Sequence, residues 1–407
     1  MNTAFHIFRR QAFHSHSPFS GLILRITLIA VALSTAVMLC GSAITRGYQK
    51  VIQEKFFYCW GHIHITPFLP DPSNFESTAS VEMDSTLLRA LKQHKDISSV
   101  HPFMFCPGVL QNKTGTEGIL LKAIPAEGLQ LFLQHYQTQA GPTALTDTGI
   151  YLSESIARKF GTKRNDAFRF YYYDEVLLVP RLRKLRVLGF FHTALEEFDQ
   201  GIVLGNITHL TPYLNRPVNR IQGYELFLKN PAQQKAVAEN LYRNVLPDTL
   251  QTYTMEQRFG NVFAWLDMMK MNERIIIIIM IIIAIVNLVS TLFIMSLDKT
   301  PMIGLLKTMG MRDRTIGQVF IYHSAFLLAI GILSGTALAW ALCSLQEHLG
   351  ILKLDEHSYY VKTVPVFLDW KAIIVIDSLT FLCGVLVLLV PVHIIRTISP
   401  VKAIRYE

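Results

Sequence analysis

The chain alternates between long apolar runs and one broad polar block, and that alternation predicts its organisation. Residues 26–44 carry no charge over about nineteen positions, roughly 29 Å of helix, enough for one crossing of a bilayer. Arg25 can snorkel to the nearer surface. Residues 275–295 are interrupted only by Asn287 and Ser290, residues 319–345 follow, and 372–390 form the last such run before Pro391. Transmembrane helices are expected over 21–45, 273–296, 317–345 and 370–391. A basic start before an apolar run also describes a cleaved signal peptide, but the amphipathic stretch 48–57 continues the same helix at once, which favours an uncleaved anchor. Ahead of it, residues 1–20 form an interfacial segment, in which Phe5, Ile7 and Phe8 stand beside Arg9 and Arg10 as in a short helix lying on a membrane surface.

The polar block, 46–272, is large enough for its own core. Alternating strand-like runs at 62–66, 118–124, 168–173, 184–191, 201–204 and 224–228 are interspersed with helix-like runs at 85–93, 153–160 and 232–243. Asn112, Gly161, Asn165 and Pro231 supply turns. This predicts an α+β domain with a discontinuous second lobe. Residues 255–272 then read as an amphipathic helix (Phe259, Val262, Phe263, Leu266, Met269) that enters the next span without a breaker, a stiff connection. The expected fold class is therefore an α-helical membrane protein with four transmembrane helices plus a large extracytoplasmic α+β domain between helices 1 and 2.

The side assignment comes from charge. Arg9, Arg10, Lys299, Lys307, Arg312, Arg314, Arg396, Lys402 and Arg405 flank one set of span ends, against chiefly Lys353 and Lys362 on the other. The positive-inside bias then puts both termini, the segment 297–316 and the tail 392–407 in the cytoplasm, and 46–272 with the loop 346–369 outside. In that loop the adjacent Tyr359 and Tyr360 suit an interface. Composition agrees with a mixture: 51% of the 407 residues are hydrophobic and only 17% charged, with mean hydropathy +0.31, too apolar for one soluble domain and too polar for spans alone. The net charge of +8 is not gathered into a basic, aromatic-laced face of the kind that binds nucleic acid.

Catalytic chemistry is hard to find. There is no GxxxxGK[ST] phosphate loop, no HExxH, no CxxC and no GxSxG, so no catalytic residue and no metal site is assigned, and any ATP must be bound elsewhere. The most enzyme-like set, His323, Ser324 and Asp377, is split in depth, the first two near the cytoplasmic end of their span and Asp377 near the outer end of its own. Asp377 instead suits a helix interface or a water-filled groove, and Gly331 and Gly335 have the four-residue spacing of close helix packing. Cys40, Cys343 and Cys383 lie in apolar sequence; Cys59 and Cys106 are either a disulfide in an oxidising compartment or two unpaired thiols.

The segment 298–314 is short, cationic and punctuated by Gly304 and Gly310, with Ile303, Leu306 and Met309 at helical spacing as an apolar ridge and Lys299, Lys307 and Arg312 around it. Asn287, Ser290, Asp298, Lys299, Ile303, Leu306, Lys307, Thr308 and Gly310, then Phe320 and the tail Pro400-Val401-Lys402-Ala403-Ile404-Arg405-Tyr406-Glu407, resemble the FtsX-type permease family of ABC transporters. FHIFRR and GYQKVIQEKF look like the start of its lipoprotein-releasing branch, LolC and LolE. Met302 departs from that branch, which usually has an acidic residue there, and 179–188 is compact, without the longer insertion by which LolC recruits its chaperone.

The resemblance implies a MacB-like periplasmic domain and an inner-membrane location. It makes this chain the permease subunit of a lipoprotein-releasing ABC transporter, not itself an enzyme. A LolD-like ATPase dimer would bind ATP and Mg. A second permease copy or paralogue, a lipoprotein cargo, membrane lipids and a LolA-like periplasmic chaperone are its implied partners, with no cofactor in this chain. The coupling set would be Asp298, Lys299, Ile303, Gly304, Leu306, Lys307, Met309, Gly310 and Arg312, and Val37, Met38, Ile44, Met280, Ile283 and Asn287 would line the cargo path between the first two spans. Two alternatives stay open: a MacB-like exporter of another amphiphile or peptide, and an FtsX-like signalling permease that controls a cell-wall hydrolase.

Overall fold

The structure, a computed structural model, describes residues 18–71, 79–138, 149–174, 179–217, 219–298 and 300–388; the expected interfacial segment at 3–12 and the tail motif at 400–407 lie outside them. In chain order come α1 (Pro18–Trp60), β1 (Ile63–Pro67), β2 (Val81–Glu82), α2 (Ser85–Gln93), β3 (Ile97–Gln111), β4 (Thr116–Ile124), α3 (Ala126–Tyr136), β5 (Gly149–Ser153) and α4 (Glu154–Phe160). There follow β6 (Ala167–Asp174), β7 (Val179–Phe191), α5 (Glu196–Gly201), β8 (Ile202–Asn206), α6 (Ile207–Tyr213), β9 (Arg220–Ile221), β10 (Gly223–Leu228), α7 (Gln234–Asn244), β11 (Leu250–Thr254) and α8 (Met255–Arg258). The chain ends with α9 (Gly260–Asp298), α10 (Thr300–Thr308), α11 (Asp313–Leu349), α12 (Glu356–Tyr359) and α13 (Trp370–Val387).

Two compact units emerge, one of Val51–Trp265 with Leu354–Lys362, the other of the remaining residues. The first is strand-rich and organised by β3. The first half of β3 pairs with β10, which continues through β1 to β11, all antiparallel. From Met104 onward β3 pairs with β4, and from Gly108 also with β6. The order β3-β4-β8-β5-β7-β6 thus returns to β3 and closes a ring of strands with no free edge. Strand β6 shows why it closes: Phe168, Phe170 and Tyr172 are buried while Arg169, Tyr171 and Tyr173 point out, the period-two pattern of a strand with one buried face. Leu121, Ile150, Leu185 and Val203 join the buried phenylalanines, with Ile156 of α4 and Leu210 of α6 packed on the same cluster. On the open sheet, Leu87 and Leu91 of α2 and Val237 and Leu241 of α7 cover Ile63, Ile65 and Leu226. Cys59 and Cys106 are both buried thiols in the structure, not a disulfide.

Four helices among the described residues are long and apolar enough to cross a membrane: Leu24–Trp60, Gly260–Thr291, Asp313–Leu349 and Trp370–Val387. Helices α1 and α9 run antiparallel in contact. Thr27 and Thr291 share a hydroxyl hydrogen bond, Ser42 Oγ donates to Glu273 Oε1 at 2.6 Å, and Gln49 Nε2 donates to the Leu266 carbonyl at 2.8 Å. Helices α1 and α11 run parallel, because Gly331 faces Val31 and, one turn on, Gly335 faces Ala32 and Thr35, with Ala36 and Ala339 beyond in one buried cluster. The expected loop 346–369 is not free-standing: Leu354–Lys362 belongs to the strand-rich unit, and the Phe367 N–H donates to the Ala43 carbonyl of α1 at 2.9 Å.

A Cβ added at Gly335 would stand 2.5 Å from the Ala32 carbonyl oxygen and 2.7 Å from Thr35 Cβ, so α1 itself would have to move. Gly335→Leu is expected to destabilise the α1–α11 pair by about 1–3 kcal/mol; a melting temperature in detergent equal to the parent's would show that the close approach is dispensable.

Candidate functional site

Helix α10 is built as a stop and restart. Gly310, with φ +82°, ends it in the left-handed region: the Gly310 N–H donates to the Lys307 carbonyl and the Met311 N–H to the Leu306 carbonyl, both at 3.0 Å, the Schellman pair of bonds. Arg312 is then the extended N-cap of α11, whose first residue, Asp313, takes an ion pair from Lys307 at 3.0 Å.

Two of the three residues of the expected ridge, Ile303 and Leu306, do not face outward. Ile303 is fully buried with Val31, Leu288, Ile316 and Phe320, and Leu306 packs half-buried on the same cluster; Gly304 is buried too. The apolar side chains that α10 presents are Leu305, 59% exposed, and Met309, 76% exposed, next to exposed Gly310 and Arg312. The ridge expectation failed by assigning the heptad-like spacing to solvent, whereas in a helix packed on a bundle that spacing marks the inner face. Asp298 closes α9, and Lys299 lies outside the described residues.

Of the expected cargo-lining set, Met38 is fully buried in the cluster that Met280 packs against, so it is closed off rather than lining a path. Val37 and Ile283 are exposed; Ile44, Met280 and Asn287 are half-buried. Asp377 meets α11, not His323: Thr336 Oγ1 donates to its Oδ2 at 2.9 Å, and its Oδ1 is buried without a hydrogen-bond partner. Further along the α1–α9 seam, toward Trp60, stands a polar layer in which Arg46 contacts Asp369 at 3.2 Å and Glu273 at 3.9 Å.

The strand-rich unit contains a titratable clasp that the sequence does not announce. His192, just after β7, places Nδ1 3.0 Å from Asp199 Oδ2 and Nε2 3.0 Å from Glu356 Oε1 of α12. Asp199 also accepts from the Thr193 and Ala194 backbone N–H groups. Lys362 lies 3.6 Å from Glu356, and Lys55 of α1 donates to the Thr193 and Tyr360 carbonyls at 2.9 and 2.7 Å. An open cleft of about 270 Å³ borders the clasp, lined also by Glu154 and Arg158. The Asp199 carboxylate, and after it Glu356, raises the His192 imidazole above its ordinary 6.5 against the opposing effect of burial. Burial lowers the Lys55 ammonium.

Residues 274–400 match the FtsX-like permease C-terminal family. The stop-and-restart element α10–Gly310–α11 and all of α13 fall inside that match, so this part of the chain is an FtsX-like permease domain. Beyond the domain, the chain is 21% identical to the lipoprotein-releasing system transmembrane protein LolC of Xylella fastidiosa (strain Temecula1), over 96% of this chain and 95% of that one. It is 23% identical to the corresponding protein LolE of Haemophilus influenzae, over 92% of each. Among solved structures, the periplasmic region of MacB from Actinobacillus actinomycetemcomitans aligns with 53% of this chain and 98% of its own, at 12% identity and a TM-score of 0.36.

The clasp carries a pH prediction. A histidine whose folded-state pKa is raised contributes stability that is fully present below its unfolded value and is lost as pH rises through the folded one. Hydrogen exchange of the Leu354–Lys362 amides, corrected for intrinsic rate, should therefore speed up as pH rises above the ordinary histidine value of 6.5. His192→Gln should remove that dependence; exchange that stays pH-independent in the parent would rule the clasp out.

Proposed function

We propose that this chain is the permease subunit of an ABC transporter that extracts lipoproteins from the outer leaflet of the inner membrane and hands them to a periplasmic carrier. The observation that carries this is the similarity to LolC and LolE proteins over more than nine-tenths of the chain, through the FtsX-like domain and the strand-rich unit alike. In this reading both termini and α10 face the cytoplasm, Val51–Trp265 lies in the periplasm, and a separate ATPase dimer binds ATP and Mg.

That ATPase grips Leu305 and Met309, the exposed apolar pair on α10, with Arg312 beside them. Because Ile303, Leu306 and Met311 root the same element in the helix cluster, a push on α10 is delivered to α9 and α11 together. The acyl chains of the cargo enter between α1 and α9. The bonds Thr27–Thr291 and Ser42–Glu273 hold that seam shut in the structure, so loading requires them to part. At about 0.8 kcal/mol per buried methylene, withdrawing acyl chains needs an input on the scale of ATP hydrolysis and a receiver for the freed cargo.

Depletion of the chain should strand lipoproteins in the inner membrane; septation failure with normal lipoprotein sorting would sink this reading in favour of a signalling role. Leu305→Asp with Met309→Asp should cut co-purification of the ATPase about tenfold or more. Gly310→Val, which forces a β-branched residue into the left-handed region at a cost of about 1–2 kcal/mol, should keep the ATPase bound but reduce release per ATP hydrolysed.

A further inference from the structure

Beneath the strand-rich unit's surface, at the end of α1, four ionisable side chains are almost completely buried: Lys122 of β4, Glu225 of β10, His64 of β1 and Arg258 of α8, none more than 3% exposed. Helix termini leave carbonyls without intrahelical partners, and the last two of α1 are met here by side chains from distant sequence. Lys122 Nζ donates to the Cys59 carbonyl at 2.6 Å, ion-pairs with Glu225 Oε1 at 2.5 Å, and lies 4.9 Å from the Trp60 ring centroid. His64 Nε2 stands 2.5 Å from the Trp60 carbonyl, and its Nδ1 is 2.6 Å from the Arg258 guanidinium.

These contacts fix the histidine's state. A guanidinium only donates, so Nδ1 accepts and the proton is on Nε2, which donates to Trp60. Burial, reinforced by Arg258, holds the imidazole down to about 4, so it stays neutral. Burial alone would raise the Glu225 carboxyl, but the Lys122 ammonium and then His64 outweigh it and hold it below the usual range. Phe259, directly after Arg258, packs on Phe56 and Trp60 of α1 at centroid distances of 5.0 and 5.4 Å.

Stability does not account for such a network. Replacing a buried ion pair by apolar side chains of similar volume is often neutral or stabilising, because the charges no longer have to leave water. What the polar groups supply is direction: each bond ends on a particular carbonyl, carboxylate or imidazole nitrogen, so the end of α1 cannot slide or turn against β4, β10 and α8 as it could on a greasy contact.

We propose that Lys122, Glu225, His64 and Arg258 are positioning residues for release, locking the end of α1 and the lead-in to α9 to strands β4 and β10 so that movement of those helices displaces the strand-rich unit as one body. The inference rests on the permease reading above. In it, α1 and α9 are the elements that both flank the cargo seam and continue unbroken from the apolar stretches, α1 to Trp60 and α9 from Gly260.

The test uses the full chain assembled with its ATPase, in vesicles containing a fluorescent lipoprotein. Lys122→Met/Glu225→Leu removes the buried ion pair and keeps the volume, with His64 and Arg258 left in place. The expected result is a melting temperature at or above the parent's, unchanged ATP hydrolysis, and release per ATP reduced about fivefold or more. A purely structural role would instead lower the melting temperature and leave the release ratio of the folded fraction intact. A folded double variant with the parent's release per ATP overturns the inference while leaving the permease reading in place; a parent complex that hydrolyses ATP without releasing lipoprotein overturns both. If the double variant does not fold, Glu225→Gln, which keeps an oxygen for the ammonium, should fold and show a partial loss of release per ATP, and an undiminished ratio there is equally decisive against the proposal.

Discussion

Both units depend on one helix being accepted along its whole length. Between Val31 and Ala43, α1 is approached by backbone: the glycines of α11 come within a turn of it, and the strand-like segment before α13 bonds to its Ala43 carbonyl. At Cys59 and Trp60 it is met by buried donors. These are opposite solutions to the same problem. Among apolar helices no hydrophobic gain favours one neighbour over another, so close van der Waals approach and shared hydroxyl bonds decide the packing. At its far end the orphan carbonyls must be paired, and a cation near the negative end of the helix dipole does that best.

The two polar clusters of the strand-rich unit differ in what they can respond to. His192 is part-exposed and flanked by two carboxylates that raise it above its ordinary value, so it is the titratable member of the two clusters. His64 is depressed by burial, and the Glu225 carboxyl is held below the usual range by Lys122 and His64, so that cluster keeps one charge state near neutral pH. The first is suited to release a segment, Leu354–Lys362; the second is suited to never releasing anything.

Much of this was legible in the sequence where one residue's pattern is decided by its neighbours. The helix at 85–93 reads from its spacing, and the alternation of 168–173 reads as β6. Strand β3 does not, because Pro102 and Pro107 read as breakers. In the sheet they stand opposite Tyr224 and Leu120. Helix α3 and strands β5 and β11 were missed as well, each short and flanked by segments of similar composition. The spans read from length and hydropathy and the short cationic segment from its glycines and motif, but the motif does not say which face is which: it suggests Ile303 outside, and Ile303 is buried. The clasp and the buried network gave no local signal at all: Lys122 finds Cys59 across 63 residues and His192 finds Glu356 across 164.

If α10 couples to an ATPase, as proposed above, that asymmetry bears on how it would pass on a push. Because Ile303 and Leu306 point inward, α10 is not a loose surface loop that a partner could flex independently; it shares a core with Val31, Leu288, Ile316, Phe320 and Leu328. A partner that holds Leu305 and Met309 therefore acts on a packed cluster, and such clusters shift between discrete arrangements rather than deform smoothly. The ion pair Lys307–Asp313 and the left-handed Gly310 fix the angle between α10 and α11, so the force is passed on as a change of helix position instead of being absorbed in the turn. Transmission then needs no conformational change inside α10 itself, only that its outer face be gripped and its inner face stay buried.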